Sequence, residues 1–241
     1  MTKINFRLSP LFLGFMMLIL LSGCAGVIDP VANLYDSFFS DKDEPGPAEL
    51  MAEGLEKFDK GHWDNAVEAF QGVKDRYPYS KYAIMAELKV ADTQYQRKEF
   101  DEAFEAYDEF EKLHPKNKDI PYVIYRKGMS HFSQVSAIDR EQVNTKQARE
   151  EFERLVKRFP RNEYAMRARK KIQLCLVSLA EYELYVGNYY FKMGRYRAAI
   201  ARYRYIIENY PDMGQYHEAL ESIVRSKEML AKETESEQSG D

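Results

Sequence analysis

Cysteine is nearly absent from this chain, with two in 241 residues, Cys24 and Cys175. Two cysteines so placed form neither a disulfide framework nor a Cys-x-x-Cys motif for redox work or zinc. Histidine is almost as scarce, and His62, His114, His131 and His217 include no i, i+4 pair able to seat a metal on one helix face. No Gly-x-Ser-x-Gly elbow and no phosphate-cradling glycine loop occurs. Acidic residues are plentiful, but none stands in an apolar setting that would single it out as a raised-pKa acid. The sequence therefore nominates no catalytic residue, no metal ligand and no cofactor. A basic surplus is missing too: 35 Lys and Arg face 39 Asp and Glu, for a net charge of −4. Phosphate backbones need a basic surface, so nucleic acid is not an expected partner. The longest apolar run, Leu11 to Leu21, is broken only by Gly14 and is far shorter than the roughly 20 residues a membrane span requires.

What the chain does have is a repeated spacing of Ala, an aromatic residue, an apolar residue and Pro. It occurs as Ala66, Phe70, Val73, Pro78; as Ala103, Tyr107, Phe110, Pro115; as Ala148, Phe152, Leu155, Pro160; and as Ala199, Tyr203, Ile206, Pro211. The steps of four and three residues keep these positions on one helical stripe, and proline, which lacks an N–H, must end the helix near it. Gly61 and Gly194 precede two of these helices, where a residue able to take φ > 0 closes the helix before. The small Ala66, Ala103, Ala148 and Ala199 are expected where paired helices cross. The pattern predicts an all-α chain, a superhelical array of tetratricopeptide-type helical hairpins that stack because no single unit can bury its own apolar face.

The amino-terminal segment is of a different kind. Lys3 and Arg7 precede the short apolar run, and Leu21-Ser22-Gly23-Cys24 follows it. This resembles a bacterial lipobox, in which the cysteine is acylated and becomes the first mature residue. Residues 1–23 then form a cleaved signal peptide, and Cys24 carries a covalent lipid that tethers the rest to a membrane. The mature chain keeps 33 basic and 39 acidic residues, a balance of −6. Ala25 rather than Asp follows the cysteine, similar to lipoproteins sent on to the outer membrane. Residues 24–47, with Pro30, Pro45, Gly46 and Pro47, read as an extended linker. Its apolar part, Val31 to Phe39, would pack on the first repeat or rest against membrane or a partner. The repeat domain is expected over 48–231, with a frayed acidic tail over 232–241. Cys175 shares a helical stripe with Ile172, Leu176 and Leu179 and reads as a buried apolar residue.

Two places depart from regular spacing, since successive proline positions lie 37, 45 and 51 residues apart. The first excess falls between Phe132 and Ala148. A loop lengthened there is either a working surface or a tolerated insertion. The second lengthens a helix from Tyr164 to Lys192, whose apolar positions hold helical period for about 43 Å at 1.5 Å per residue. Such a helix should brace two units or offer a face to another protein. Charge is segregated as well. Residues 161–204 carry ten basic against three acidic residues, whereas 41–70 and 205–241 each carry nine acidic against three basic. That pattern fits a two-ended binder, or a solvated helix face with no partner.

Several stretches together carry a family resemblance. They are Gly61-His-Trp63-Asp-Asn-Ala66, Arg76-Tyr77-Pro78-Tyr-Ser-Lys-Tyr82, Ile120-Pro-Tyr122-Val-Ile-Tyr125-Arg126-Lys-Gly128, Asp139-Arg140-Glu141-Gln142, Leu179-Ala180-Glu181-Tyr182-Glu183-Leu184-Tyr185-Val186 and Tyr189-Tyr190-Phe191-Lys-Met-Gly194. Spread in order over the mature chain, they resemble the BamD family, lipoproteins of the machinery that assembles β-barrels into the bacterial outer membrane. The resemblance implies a non-enzymatic scaffold of about five hairpins on the periplasmic face of the outer membrane. It implies that carboxy-terminal units bind the periplasmic domains of a BamA-like barrel protein, and that amino-terminal units face unfolded barrel precursors. It leaves room for other lipoproteins as partners. By motif match it places Arg202 at the contact with the barrel protein; if the basic carboxy-terminal segment docks an acidic surface of that protein, Arg197 and Arg204 are further contributors. Arg197 and Arg204 share a helix face, and Arg202 is offset from Arg197 by about 140°. A pair between Arg202 and Glu181 or Glu183 is the competing role for that arginine. The loop before Asp139 is shorter than in many family members, which weakens any contact assigned to it. Other periplasmic repeat lipoproteins, such as a secretin pilotin or a division-site coordinator, would share the lipobox and hairpins but lack the run from Ala180 to Leu184.

Overall fold

A computed structural model describes residues 44–135, 142–211 and 213–239. The signal segment, Cys24, the apolar 31–39 stretch and residues 136–141 of the insertion lie outside the described residues. Those described are helical, with no strand among them: α1 (Pro47–Asp59), α2 (Trp63–Arg76), α3 (Ala83–Gln96), α4 (Phe100–Leu113), α5 (Ile120–Phe132), α6 (Val143–Arg158), α7 (Glu163–Lys192), α8 (Tyr196–Asn209) and α9 (Gln215–Ser239). They form four hairpins and a single closing helix, α9. No described helix is long and apolar enough to cross a membrane. The chain divides into two compact units, up to Glu87 and from Leu88 onward.

Helix ends follow from the prolines. Tyr77, His114, Phe159 and Tyr210 each precede one, and each leaves the helical region at φ between −124° and −135° with ψ between 51° and 59°. A following proline ring disfavours the helical conformation of the residue before it, which explains the common geometry. The four N–H groups still donate back to Val73, Phe110, Leu155 and Ile206, so each last turn is closed.

Three hairpin turns share a second device. Gly61, Lys98 and Gly194 take φ of 74°, 65° and 72°, and the residues after them, His62, Glu99 and Arg195, donate to the carbonyls of Lys57, Gln94 and Tyr190. This is a Schellman closure, which needs one residue in the left-handed region. Glycine suits it, whereas Lys98 adopts it against a steric penalty.

Within the first unit, the ring of Phe70 lies so close to Gly54 that a Cβ there would meet Phe70 Cε1 at 2.5 Å. Ala66, Phe70 and Val73 are fully buried, with Leu50 and Met51 beside them in the core. The end of the linker is fastened to the same hairpin: Tyr77 Oη donates to Pro45 O at 3.2 Å and Arg76 reaches Glu44 at 3.5 Å.

In the second unit the contact recurs. A Cβ on Gly128 would meet Phe152 Cε1 at 2.6 Å, and one on Gly187 would meet Tyr203 Cε1 at 2.5 Å. Ala91 stands sixteen residues before Tyr107, as Gly54 does before Phe70 and Gly187 before Tyr203. Ala103, Ala148 and Ala199 are fully buried, as Ala66 is in the first unit. The long helix α7, 30 residues, touches α5, α6, α8 and α9, so it braces the third and fourth hairpins and the closing helix. α9 runs on to Ser239, well past Ala231, where a frayed tail was expected. Its last residues, 231–239, hold three Glu with one Gln, one Lys and one Ala, all good helix formers, and residues 231–236 are exposed.

The left-handed position at Lys98 gives a direct test. Lys98→Gly removes a Cβ penalty of about 1–2 kcal/mol and adds back part of it as chain entropy. A gain of about 1 kcal/mol in urea unfolding is expected, and a loss would contradict the turn geometry.

Candidate functional site

Charged side chains divide into those used inside the fold and those left outward. The inner set joins α4, α5 and α6. Lys127, only 5% exposed, reaches Asp108 at 2.5 Å, Glu111 at 3.3 Å and Glu151 at 3.6 Å. Glu111 also takes both arms of Arg154, at 2.7 and 2.8 Å, and Arg158 at 2.9 Å. Burial pushes the Glu111 carboxyl up, but its hydrogen bond from Arg154 and the charges of Arg154 and Lys127 outweigh that and hold it below its ordinary value.

Beside this network, Asp92 on α3 accepts from Tyr107 Oη at 2.7 Å and Tyr122 Oη at 2.6 Å, while Arg126 donates to Tyr107 Oη at 3.0 Å. The Arg126 guanidinium also lies 3.7 Å from the centre of the Tyr95 ring. Sequence reading missed both networks. Tyr122 and Arg126 fell within a family-like stretch, but nothing in it showed that Asp92, thirty residues before Tyr122, would be that tyrosine's partner, or that Tyr107 would be the partner of Arg126. Both arrangements tie helices together.

The insertion is fastened at its flanks. Gln134 donates to Asp101 at 2.8 Å, Asn144 donates to Gln134 O at 3.3 Å, and buried Gln142 accepts from Thr145 at 2.8 Å. Cys175 is fully buried, and burial pushes its thiol up to about 11, as for an inert core residue.

The outer set lies toward the carboxy terminus, on α7, α8 and the turns that precede them. Arg202 Nη1 donates to Glu183 Oε2 at 3.0 Å. The Glu183 side chain is 12% exposed and that of Arg202 43%. That hydrogen bond raises the guanidinium above its ordinary value, with the Glu183 charge adding to it. The intramolecular pair weighed for Arg202 therefore forms, to Glu183 rather than to Glu181. Glu181 instead accepts from Gln215 at 3.2 Å. Part of the Arg202 guanidinium still faces solvent.

Arg197 and Arg204 are exposed, as are Arg161, Lys170, Lys192 and Arg195. Among the described residues none of these six has an ion pair. Arg167 and Arg169 are exposed too but have partners, Glu163 at 3.3 Å and the Pro160 carbonyl at 2.9 Å, and Lys171 lies over the Phe132 ring. Large apolar side chains stand out beside the cations: Tyr185, Tyr189 and Met193 on the last turns of α7 and just beyond, and Tyr205 on α8. A surface of unpaired cations and exposed tyrosines suits protein binding, since it can steer an acidic partner and bury aromatic area on contact.

Residues 43–240 match YfiO, a family described as outer membrane lipoprotein. A protein of Caulobacter vibrioides, the outer membrane protein assembly factor BamD, is 31% identical over 220 residues, covering 91% of this chain and 70% of that one. The chain belongs to this family. BamD proteins of Rickettsia prowazekii and Vibrio cholerae are similar at 28% and 26% identity, covering 88% and 90% of the chain and 80% and 90% of their own lengths. In these family terms, the run Leu179 to Leu184 is the part of α7 that buries Leu179, Ala180, Glu183 and Leu184 and supplies the carboxylate for Arg202.

Charge reversal tests the pair. Arg202→Glu strands the largely buried Glu183 and sets a second carboxylate beside it, so a loss of about 1–3 kcal/mol is expected in chemical unfolding. An unchanged unfolding midpoint would show that the pair contributes nothing to the fold.

Proposed function

We propose that this chain is a lipid-anchored, non-enzymatic scaffold on the periplasmic face of the outer membrane. It holds the periplasmic domains of a BamA-like barrel protein through its carboxy-terminal units and meets unfolded barrel precursors through its amino-terminal ones. The observation that carries the reading is the outer surface of α7, α8 and the turns that precede them, where Arg161, Lys170, Lys192, Arg195, Arg197 and Arg204 are exposed with no ion pair among the described residues, while Arg126, Lys127 and Arg154 are held in networks between helices. Family membership supplies the context: the relatives are named as outer membrane protein assembly factors.

In this reading Arg197 and Arg204, on one face of α8, dock an acidic surface. Arg202 takes part with the half of its guanidinium that Glu183 leaves free. Arginine suits the task because its planar fork can hold a carboxylate with two parallel hydrogen bonds. The lipid on Cys24 keeps the surface near the bilayer, and the linker sets the distance.

Affinity purification from envelopes, with quantitative mass spectrometry, tests the docking surface. The wild type should enrich an outer-membrane β-barrel protein with periplasmic repeats. The Arg197→Glu, Arg204→Glu double variant should lose at least ten-fold of it while keeping its unfolding midpoint. Equal recovery by the variant would remove these arginines from the interface.

The anchor has its own test. Metabolic palmitate labelling should mark the wild type, and Cys24→Ser should carry no label and leave the membrane fraction. Label that persists in the variant would place the lipid elsewhere.

A further inference from the structure

The linker joins the first unit at one defined place. Glu44 reaches Arg76 at 3.5 Å and the Pro45 carbonyl accepts from Tyr77 Oη at 3.2 Å, both at the carboxy-terminal end of α2. The turn that follows is tight, with Ser80 N–H donating to Tyr77 O at 3.0 Å and Ala83 N–H to Ser80 O at 3.1 Å. On this turn and the first turn of α3 stand Tyr79, 82% exposed, Ile84, 45%, and Met85, 54%. Among the described residues of the first unit these are the large apolar side chains left at the surface. They sit where the linker departs.

The sequence ahead of that point has the complementary character. In Val31-Ala-Asn-Leu34-Tyr35-Asp-Ser-Phe38-Phe39, the residues Val31, Leu34, Tyr35 and Phe38 have the spacing of one helical stripe, and Asp29-Pro30 before them is a helix-start signal. Phe38 is six residues from Glu44, so it stays within about 20 Å of the fastened point even in extended chain. Charge agrees as well. Asp36, Asp41, Asp43 and Glu44 stand against Lys42 in this part of the linker, whereas Lys74, Arg76 and Lys81 stand against Asp75 around the turn. The pair of Glu44 with Arg76 is already one contact of that kind. A bilayer surface is the poorer match for the stripe. Helices that lie on membranes carry Lys or Arg on their polar face, and none occurs between Cys24 and Lys42.

We infer that residues 31–39 dock their apolar stripe on Tyr79, Ile84 and Met85 of the same chain, as an amphipathic helix laid on an apolar site. The consequence is a shorter tether. Cys24 to Glu44 is twenty residues, about 70 Å of extended chain, but Cys24 to Val31 is seven, about 25 Å. Docking therefore holds the first unit close to the lipid and restricts how far it swings. That consequence rests on the lipid-anchored reading, whereas the docking itself does not. Failure of palmitate labelling, or of the arginine surface on α8, leaves it standing.

Paramagnetic relaxation tests it on the mature chain carrying Cys24→Ser, with neither lipid nor partner present. A nitroxide is attached through Asn33→Cys, opposite the stripe, and Cys175 is fully buried and does not compete. The methyl signals of Ile84 and Met85 should broaden strongly. Leu34→Asp with Phe38→Asp keeps the tether but removes the stripe, so the relaxation enhancement at both methyls should fall at least three-fold. Unchanged shifts of the buried Leu50 and Met51 methyls check that this variant keeps its fold. A spin-labelled chain mixed with a methyl-labelled one that carries no spin label should give no broadening. Three results would overturn the inference. One is the absence of broadening at Ile84 and Met85, and another is equal broadening with and without the two aspartates. The third is broadening in the mixture as strong as within one chain, which would make a second copy the occupant.

Discussion

An aromatic ring seated on a residue with little or no side chain is the contact on which each hairpin depends. Phe70 on Gly54, Phe152 on Gly128 and Tyr203 on Gly187 leave no room for a Cβ without movement. Ala91 and Tyr107 occupy the same relative places in the second hairpin, inside one core. The ring fills the space between two antiparallel helices, and the buried alanine one turn earlier lets those helices come close. Because the ring and the small residue belong to different helices, each such contact fixes both separation and register. Interiors packed at crystal-like density tolerate neither a gap nor an added methyl group, so the spacing recurs with little variation.

Everything outward follows from that register. Once Ala199 and Tyr203 face inward, Arg197 and Arg204 must face solvent, and Arg202 must fall beside the stripe of α7 that carries Glu183. The same register puts Asn188, the residue after Gly187, against the Tyr203 hydroxyl. Function in this account is thus a by-product of which helix faces the packing leaves over. Lys127 of α5 and Arg154 of α6 are drawn into networks between helices, whereas Lys170 and Lys192 of α7 and Arg197 and Arg204 of α8 are left at the surface.

Much of this was legible because it is periodic. Ala, aromatic, apolar and Pro at fixed steps announce the second helix of each hairpin, and proline dictates where it ends. Other features depend on partners distant in the chain. Lys98 sits in a left-handed turn that Gly61 and Gly194 advertise and lysine conceals. Gly187 lies inside a long helical pattern, where its role becomes visible only against Tyr203 in the next helix. Lys127 looks like a solvent-facing lysine until Asp108, Glu111 and Glu151 are brought around it from two other helices. Arg202 was matched to a docking role by family, and whether it would also pair with Glu183 could not be read from a helical wheel of α8 alone. The acidic end of α9 read as tail because its charge is high, yet its composition also favours helix, and tertiary support from α7 and α8 carries the helix onward.

The packing claim is tested most directly by a double-mutant cycle at Gly128 and Phe152, where the ring has no polar role. The added Cβ of Gly128→Ala should destabilise the wild type by about 1–3 kcal/mol in chemical unfolding. Once Phe152→Leu has removed the ring, the same change should cost less than half as much, giving a coupling energy of about 1 kcal/mol or more. Additive effects of the two substitutions would contradict the account, because they would mean that ring and glycine do not confront each other at the helix crossing.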